Sequence, residues 1–90
     1  MERDRYSIDF IDQEAIDQFK SLPKTVQITL GKAIKERLET DPISYGKPLR
    51  KNLNGYRRLR VGRYRIIYKI DSKNMKVVIS VVDHRKSVYE

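Results

Sequence analysis

Cysteine and tryptophan are absent from the 90 residues, and histidine occurs once. Without cysteine there is no disulfide framework, no thiolate metal site and no cysteine nucleophile. A small domain lacking such staples suits a reducing compartment, so the cytoplasm is expected. Long apolar runs are missing too. The longest, Val77 to Val82, has six residues, far below the roughly 20 that a membrane span needs. The opening MERDRYS carries acids where a signal peptide would carry an apolar stretch, so neither membrane nor export is expected. Four glycines and three prolines are too few for collagen-like or low-complexity chains. Also missing are a carboxylate pair on one element, a His/Asp/Glu cluster, a glycine-rich phosphate loop and a nucleophile elbow. No cofactor and no metal are therefore expected.

What remains is enough for one domain, residues 1–90, with a thin core, since a chain of this size buries only about 60 to 65% of its unfolded surface. The charge is divided unevenly. Residues 1–45 carry net −2 and residues 46–90 net +10. From Lys47 to Arg65 there are eight basic side chains and no acid: Lys47, Arg50, Lys51, Arg57, Arg58, Arg60, Arg63 and Arg65. No local ion pair can neutralise that stretch, but a polyanion or an acidic protein can. A charge run also serves simply as a solvated face; the preference for arginine, which grips phosphate bidentately, favours contact with nucleic acid.

Tyr6 to Phe10 alternates apolar and polar residues, which predicts a half-buried strand. Asp12 can cap a helix whose stripe is Ala15, Ile16, Phe19 and Leu22. Leu22-Pro23 ends it, and Pro23 suits the first turn of a second helix running to Thr40, with Val26, Leu30, Ala33, Ile34 and Leu38 on one face. Asp41-Pro42 stops that helix, and Ile43 to Gly55 reads as a connecting loop ending in an Asn54-Gly55 turn. Three β-rich segments follow, Tyr56 to Val61, Tyr64 to Ile70 and Met75 to Val82, joined by turns short enough to make them antiparallel. The expected architecture is α+β in two layers, β-α-α-β-β-β, with one sheet packed on a helical hairpin and its other face open.

Alternation sorts the strand residues. Leu59 and Val61 face the core, which leaves Arg58, Arg60 and Tyr56 on the open face. Ile66, Tyr68 and Ile70 oppose Arg65, Ile67 and Lys69, and the charged set is assigned to the open face. The tail Asp83 to Glu90 adds His84, Arg85 and Tyr89 and can lie over that face. His84 has the only side chain whose unperturbed pKa lies near neutrality, so it is the candidate for proton transfer; the competing reading is a structural histidine. Catalysis by Arg, Lys, His and Tyr suits phosphodiester chemistry, in which positive charge stabilises an oxyanionic transition state. RNA brings its own nucleophile, the 2′-hydroxyl.

The run Gly55-Tyr56-Arg57-Arg58-Leu59-Arg60-Val61-Gly62, then Tyr64-Arg65-Ile66-Ile67-Tyr68, then His84-Arg85-Lys86 with Val88-Tyr89, resembles the RelE/ParE superfamily of bacterial toxins, and its RelE branch in particular. Leu22-Pro23, Asp41-Pro42 and Lys47-Pro48-Leu49 fit the same pattern, so the similarity spans the chain. The resemblance implies the toxin of a type II toxin–antitoxin pair, a metal-independent endoribonuclease that enters the ribosomal A site and cuts messenger RNA by 2′-hydroxyl attack. It implies catalytic roles for Arg58, Arg65, His84 or Arg85, and Tyr89, with Lys47, Arg50, Lys51, Arg57, Arg60 and Arg63 as RNA contacts. Arg65 would stabilise the phosphate, His84 or Arg85 would protonate the leaving oxygen, and Tyr89 would stack on a base or orient the hydroxyl. Where family members carry two lysines on the second strand, this chain has arginine, a poor base, and Tyr56 stands near one of those places. Implied partners are the ribosome, messenger RNA and an antitoxin whose toxin-binding segment is acidic and partly disordered until bound. The alternatives are a ParE-like inhibitor of DNA gyrase, without catalysis, and a silent RNA-binding member.

Overall fold

The computed structural model describes residues 5–84. Its first strand, β1, spans Ser7–Phe10. Helix α1, Gln13–Lys20, starts where Asp12 accepts a hydrogen bond from the Ala15 amide at 2.9 Å, as the capping reading expected. Helix α2 covers Lys24–Ala33 and continues as a π-helical turn over Ile34–Leu38. Its Glu39 amide reaches back to the Ile34 carbonyl at 3.0 Å. Leu30, Ile34 and Leu38, spaced by four, all stay buried along this helix.

The segment expected to be a loop is more ordered. Asp41 caps a short helix α3, Pro42–Tyr45, through the Ser44 amide. Strand β2, Lys47–Pro48, follows, then a 3-10 turn at Lys51–Leu53. Strands β3, Arg57–Val61, β4, Tyr64–Asp71, and β5, Lys76–Asp83, are the remaining elements among the described residues. The turns between them use positive φ at Gly62 and at Met75. Before the second of these, Asn74 donates through its backbone and side chain to the Asp71 carboxylate, which lowers that carboxyl's pKa.

The sheet order is β1-β5-β4-β3-β2. All pairs are antiparallel except β1 with β5, the first and last strands in sequence, which no short turn joins and which are therefore free to run parallel. Sheet and helices share one core of Leu30, Ile34, Leu38, Leu59, Ile66, Tyr68, Val77, Ile79 and Val82. The expected α+β arrangement with helices on one face is what forms, with a fifth strand, β2, added at the edge.

A register shift lies in β5. Ile67 pairs with Val81 but Tyr68 pairs with Ile79, so Ser80 is the extra residue of a β-bulge. The bulge explains an otherwise unreadable run of apolar residues: Val77 and Ile79 face the core before it, and Val82 faces the core after it. Strand β5 also outruns the four-residue β1, and the Val82 amide is taken up by the Gln18 side chain of α1 at 2.9 Å.

Tyr68 joins the sheet to the 42–48 segment. Fully buried, it donates its hydroxyl to the Pro42 carbonyl at 2.6 Å. Gly46 lies directly against that hydroxyl, and a Cβ there would overlap the hydroxyl and the ring. Arg57, opposite Tyr68 in register, donates to the carbonyls of Ile43 at 2.6 Å and Gly46 at 2.9 Å. Burial raises the Tyr68 pKa above its ordinary 10.0, and the Arg57 charge and hydrogen bond draw it only partway back. The neutral hydroxyl is the form the fold needs, so its stabilisation is complete below pH 10 and is lost as pH rises through the raised folded value.

Two stability outcomes are expected. Gly46→Ala, which overpacks a site with no room to relax, should cost about 1 to 3 kcal/mol in urea unfolding. Tyr68→Phe leaves the Pro42 carbonyl unsatisfied and should cost a similar ~1 to 3 kcal/mol at pH 7; its deficit relative to the parent should shrink in the same measurement above pH 10, where the parent loses the neutral hydroxyl.

Candidate functional site

Strand pairing gathers the arginines. Arg58 lies opposite Ile67 and Arg60 opposite Arg65 in the β3–β4 register, and Lys47 of β2 lies opposite Arg58. With the core taking Leu59, Ile66 and Tyr68, alternation sends Arg58, Arg60, Arg65, Ile67 and Lys69 to the face away from the helices. Tyr56 belongs there too, with the Lys69 ammonium 5.2 Å from its ring centroid. Asp83, opposite Arg65 on β5, is the acid facing this cationic centre. The face is not fully open: Ile67 is 1% exposed and Arg65 6%. Arg65 is thus presented from a packed position, and Arg60 stands exposed beside it.

A positioned guanidinium beside further arginines can meet the oxygens of a carboxylate or a phosphate with a fixed fork of donors and, in surroundings that screen less than water, favour negative charge there. Ser7, Asp9 and Lys76 continue the same face toward β1, where Lys76 and Asp9 pair at 3.4 Å. The cationic end is therefore the β2–β3–β4 end.

Several expected residues are placed elsewhere. Arg57 points to the helical side and spends its guanidinium on the Ile43 and Gly46 carbonyls, so it holds the fold together at the place where an RNA contact was expected. The reason is parity, since Arg57 shares its side of β3 with Leu59. His84 also lies apart from Arg65. Its ring packs on Tyr64 with centroids 4.7 Å apart, beside α2, in a pocket of about 310 Å³ that includes Thr25, Thr29, Leu30 and Arg63. Tyr64 packs against the core side of the sheet, so the His84 ring and the Arg65 side chain are on opposite faces. The expectation that one ring of side chains includes both is corrected by this geometry: the bulge at Ser80 sets Asp83 on the arginine face, and the next residue falls on the other. Arg63 occupies the β3–β4 turn on the His84 side, and Arg50 and Lys51 are exposed near the 3-10 turn, away from the strand register that aligns Arg58 with Arg65. Arg85 and Tyr89 lie outside the described residues.

Two residues were missed. Arg37, from the π turn, and Tyr45, from α3, line a pocket of about 230 Å³ with Lys47, Arg58, Leu59 and Arg60. They belong to the half of the chain with net −2, and no local pattern links them to the arginine strands.

The family model of the ParE toxin of type II toxin–antitoxin systems, parDE, matches residues 10–89. The chain belongs to the RelE/ParE superfamily of toxins. Toxin RelG of Mycobacterium tuberculosis is 36% identical over 84 residues, which span 93% of this toxin and 95% of RelG. The RelBE2 toxin–antitoxin complex of the same organism contains a similar chain, 34% identical with a TM-score of 0.83, over 90% of this chain and 99% of that one. The isolated RelE toxin of E. coli, at 24% identity, shares the fold, with a TM-score of 0.74 over 91% of this chain and 86% of that one. The family-model match runs from Phe10, the last residue of β1, through β5. Among the described residues no helix is long and apolar enough to cross a membrane.

Placement of the arginines separates structural from surface roles. Arg57→Ala removes two hydrogen bonds from a charged donor and should lower stability by about 1.5 to 3 kcal/mol. Arg50→Ala, at an exposed loop position, should stay within about 0.5 kcal/mol of the parent. Thermal unfolding of both variants checks the contrast.

Proposed function

We propose that this toxin is a ribosome-dependent endoribonuclease that cuts messenger RNA in the A site, in the cytoplasm, with the RNA 2′-hydroxyl as nucleophile. The observation that carries the reading is the register that sets Arg60 against Arg65, with Arg58 two positions along β3 on the same face. In the proposed reaction the 2′-hydroxyl gives up its proton and its oxygen attacks the adjacent phosphorus, the bond to the 5′-oxygen breaks as that oxygen takes up a proton, and a cyclic phosphate remains. Arg65 and Arg58 hold the phosphate in line and stabilise the charge that grows on its oxygens. His84, on the other side of the sheet, is given no proton transfer; the resemblance leaves Arg85 to protonate the leaving oxygen and Tyr89 to stack on a base or orient the hydroxyl. Solved relatives include toxin–antitoxin complexes, and the +10 half of this chain supports a partner antitoxin with an acidic segment that orders on binding.

The test is expression in growing cells with primer extension on ribosome-bound transcripts. The parent should arrest growth and leave cuts within A-site codons, and DNA gyrase supercoiling should be unaffected by the purified toxin. Arg58→Ala should reduce cleavage by roughly a hundredfold or more, the scale of losing one charge-stabilising donor. Arg65→Lys, which keeps the buried charge but not the fork, should also cut slowly while remaining folded. His84→Ala should cleave at close to the parent rate. Undiminished cleavage by Arg58→Ala and Arg65→Lys would overturn the assignment.

A further inference from the structure

Strand β2 is only two residues long because α3 occupies the chain just before it. Beyond Arg58, therefore, β3 has no neighbouring strand on that side among the described residues. A notch results at this edge, lined by Arg37 and Tyr45 from the helical elements, Lys47 from β2, and Arg58, Leu59 and Arg60 from β3. Its lining contains four cationic side chains and no acid. Tyr45 is 53% exposed, an unusual position for a large ring, and the Arg37 guanidinium carbon lies 6.0 Å from its centroid.

The volume, about 230 Å³, is below the roughly 300 to 1,000 Å³ of a whole small-molecule site. It suits one unit of a longer ligand. An exposed ring backed by a guanidinium is a stacking platform for a base, and the surrounding cations match the phosphates on either side of it. An acidic peptide would satisfy the cations and leave the ring unused. Arg58 and Arg60 line the notch and also belong to the arginine face, so a strand of RNA lying on Arg65 continues into it without a break.

We propose that this notch is a nucleotide subsite for single-stranded RNA: Tyr45 stacks on an unpaired base next to the cleaved linkage, and Arg37 and Lys47 hold the phosphate joining the two. The inference rests on the messenger RNA reading above and extends it to residues that bind the neighbouring nucleotide. Arg37 and Tyr45 touch no reacting atom. They fix the register of the strand, and so bear on which linkage is presented to Arg65.

Fluorescence anisotropy of a labelled single-stranded RNA oligonucleotide with the full chain, over a salt series, tests this directly. Tyr45→Ala should weaken binding roughly tenfold, and Tyr45→Phe, which keeps the ring, should bind within about twofold of the parent. Arg37→Gln and Lys47→Gln should each reduce the slope of log affinity against log salt by about 0.7. A labelled polyglutamate peptide should bind Tyr45→Ala as well as it binds the parent, because it has no base to stack. Should Tyr45→Ala melt early, Tyr45→Leu takes its place and must show the same loss. Parent-like RNA affinity in the ring-less variant, or an equal loss of RNA and polyglutamate binding, would overturn the subsite. Cleavage on ribosomes is scored separately. Tyr45-dependent RNA binding with no cleavage by the parent would sink the enzyme reading and leave the subsite standing; efficient cleavage with no effect of Tyr45 would do the reverse.

Discussion

The buried hydroxyl of Tyr68, bonded to the Pro42 carbonyl, decides where the 42–48 segment lies, and through it the shape of the cationic end of the sheet. Gly46 has no side chain because that hydroxyl fills the space, and Arg57 closes the arrangement by bonding two more carbonyls of the same segment. Helix α3 is thereby held against the sheet, β2 is confined to Lys47–Pro48, and the edge of β3 is left notched. A longer β2 would cover the notch and separate Tyr45 from Arg58. One hydrogen bond in the core thus shapes a surface feature at the edge of the sheet.

The second constraint is the pleat. Neighbouring residues on a strand serve opposite faces, so Arg57 and Arg58, adjacent and chemically identical, have unrelated tasks. One is an internal tie; the other meets solvent and, on the proposed reading, phosphate. The same rule divides Tyr64 from Arg65, and the bulge at Ser80 resets it on β5 so that Val82 stays in the core while Asp83 comes opposite Arg65. Concentrating positive charge on one face carries a self-repulsion that a polyanion relieves on binding. On the proposed reading, this gives a physical basis for a toxin held by an acidic partner and released to RNA.

Much of the fold was legible in the residues because local chemistry agreed with the final packing. Asp12 and Pro23 mark helix starts, the stripe of α2 faces the core, and alternation in β3 and β4 sends Leu59 inward and Arg58 outward. The stretch from Ile43 to Gly55 was not legible as ordered structure. Its helix is four residues and its strand two, too short for any periodicity; the helix is tied by the hydrogen bonds of Tyr68 and Arg57 and the strand by its pairing with β3, all from residues later in the chain. The side of the sheet taken by His84 was hidden for a similar reason: a bulge within an apolar run changes parity without changing the pattern of residue types.

The amino-acid order determined by itself the segregation of charge into the second half, the helical hairpin, the three-strand meander and the grouping of Arg58, Arg60 and Arg65, since each follows from spacing along a short piece of chain. Tertiary structure alone decided that Arg57 bonds the Ile43 and Gly46 carbonyls, that His84 stacks on Tyr64 away from the arginines, and that Arg37 and Tyr45 join Lys47 at the sheet edge. Those outcomes depend on contacts between residues distant in sequence, and on one extra residue in β5, for which no local signal exists.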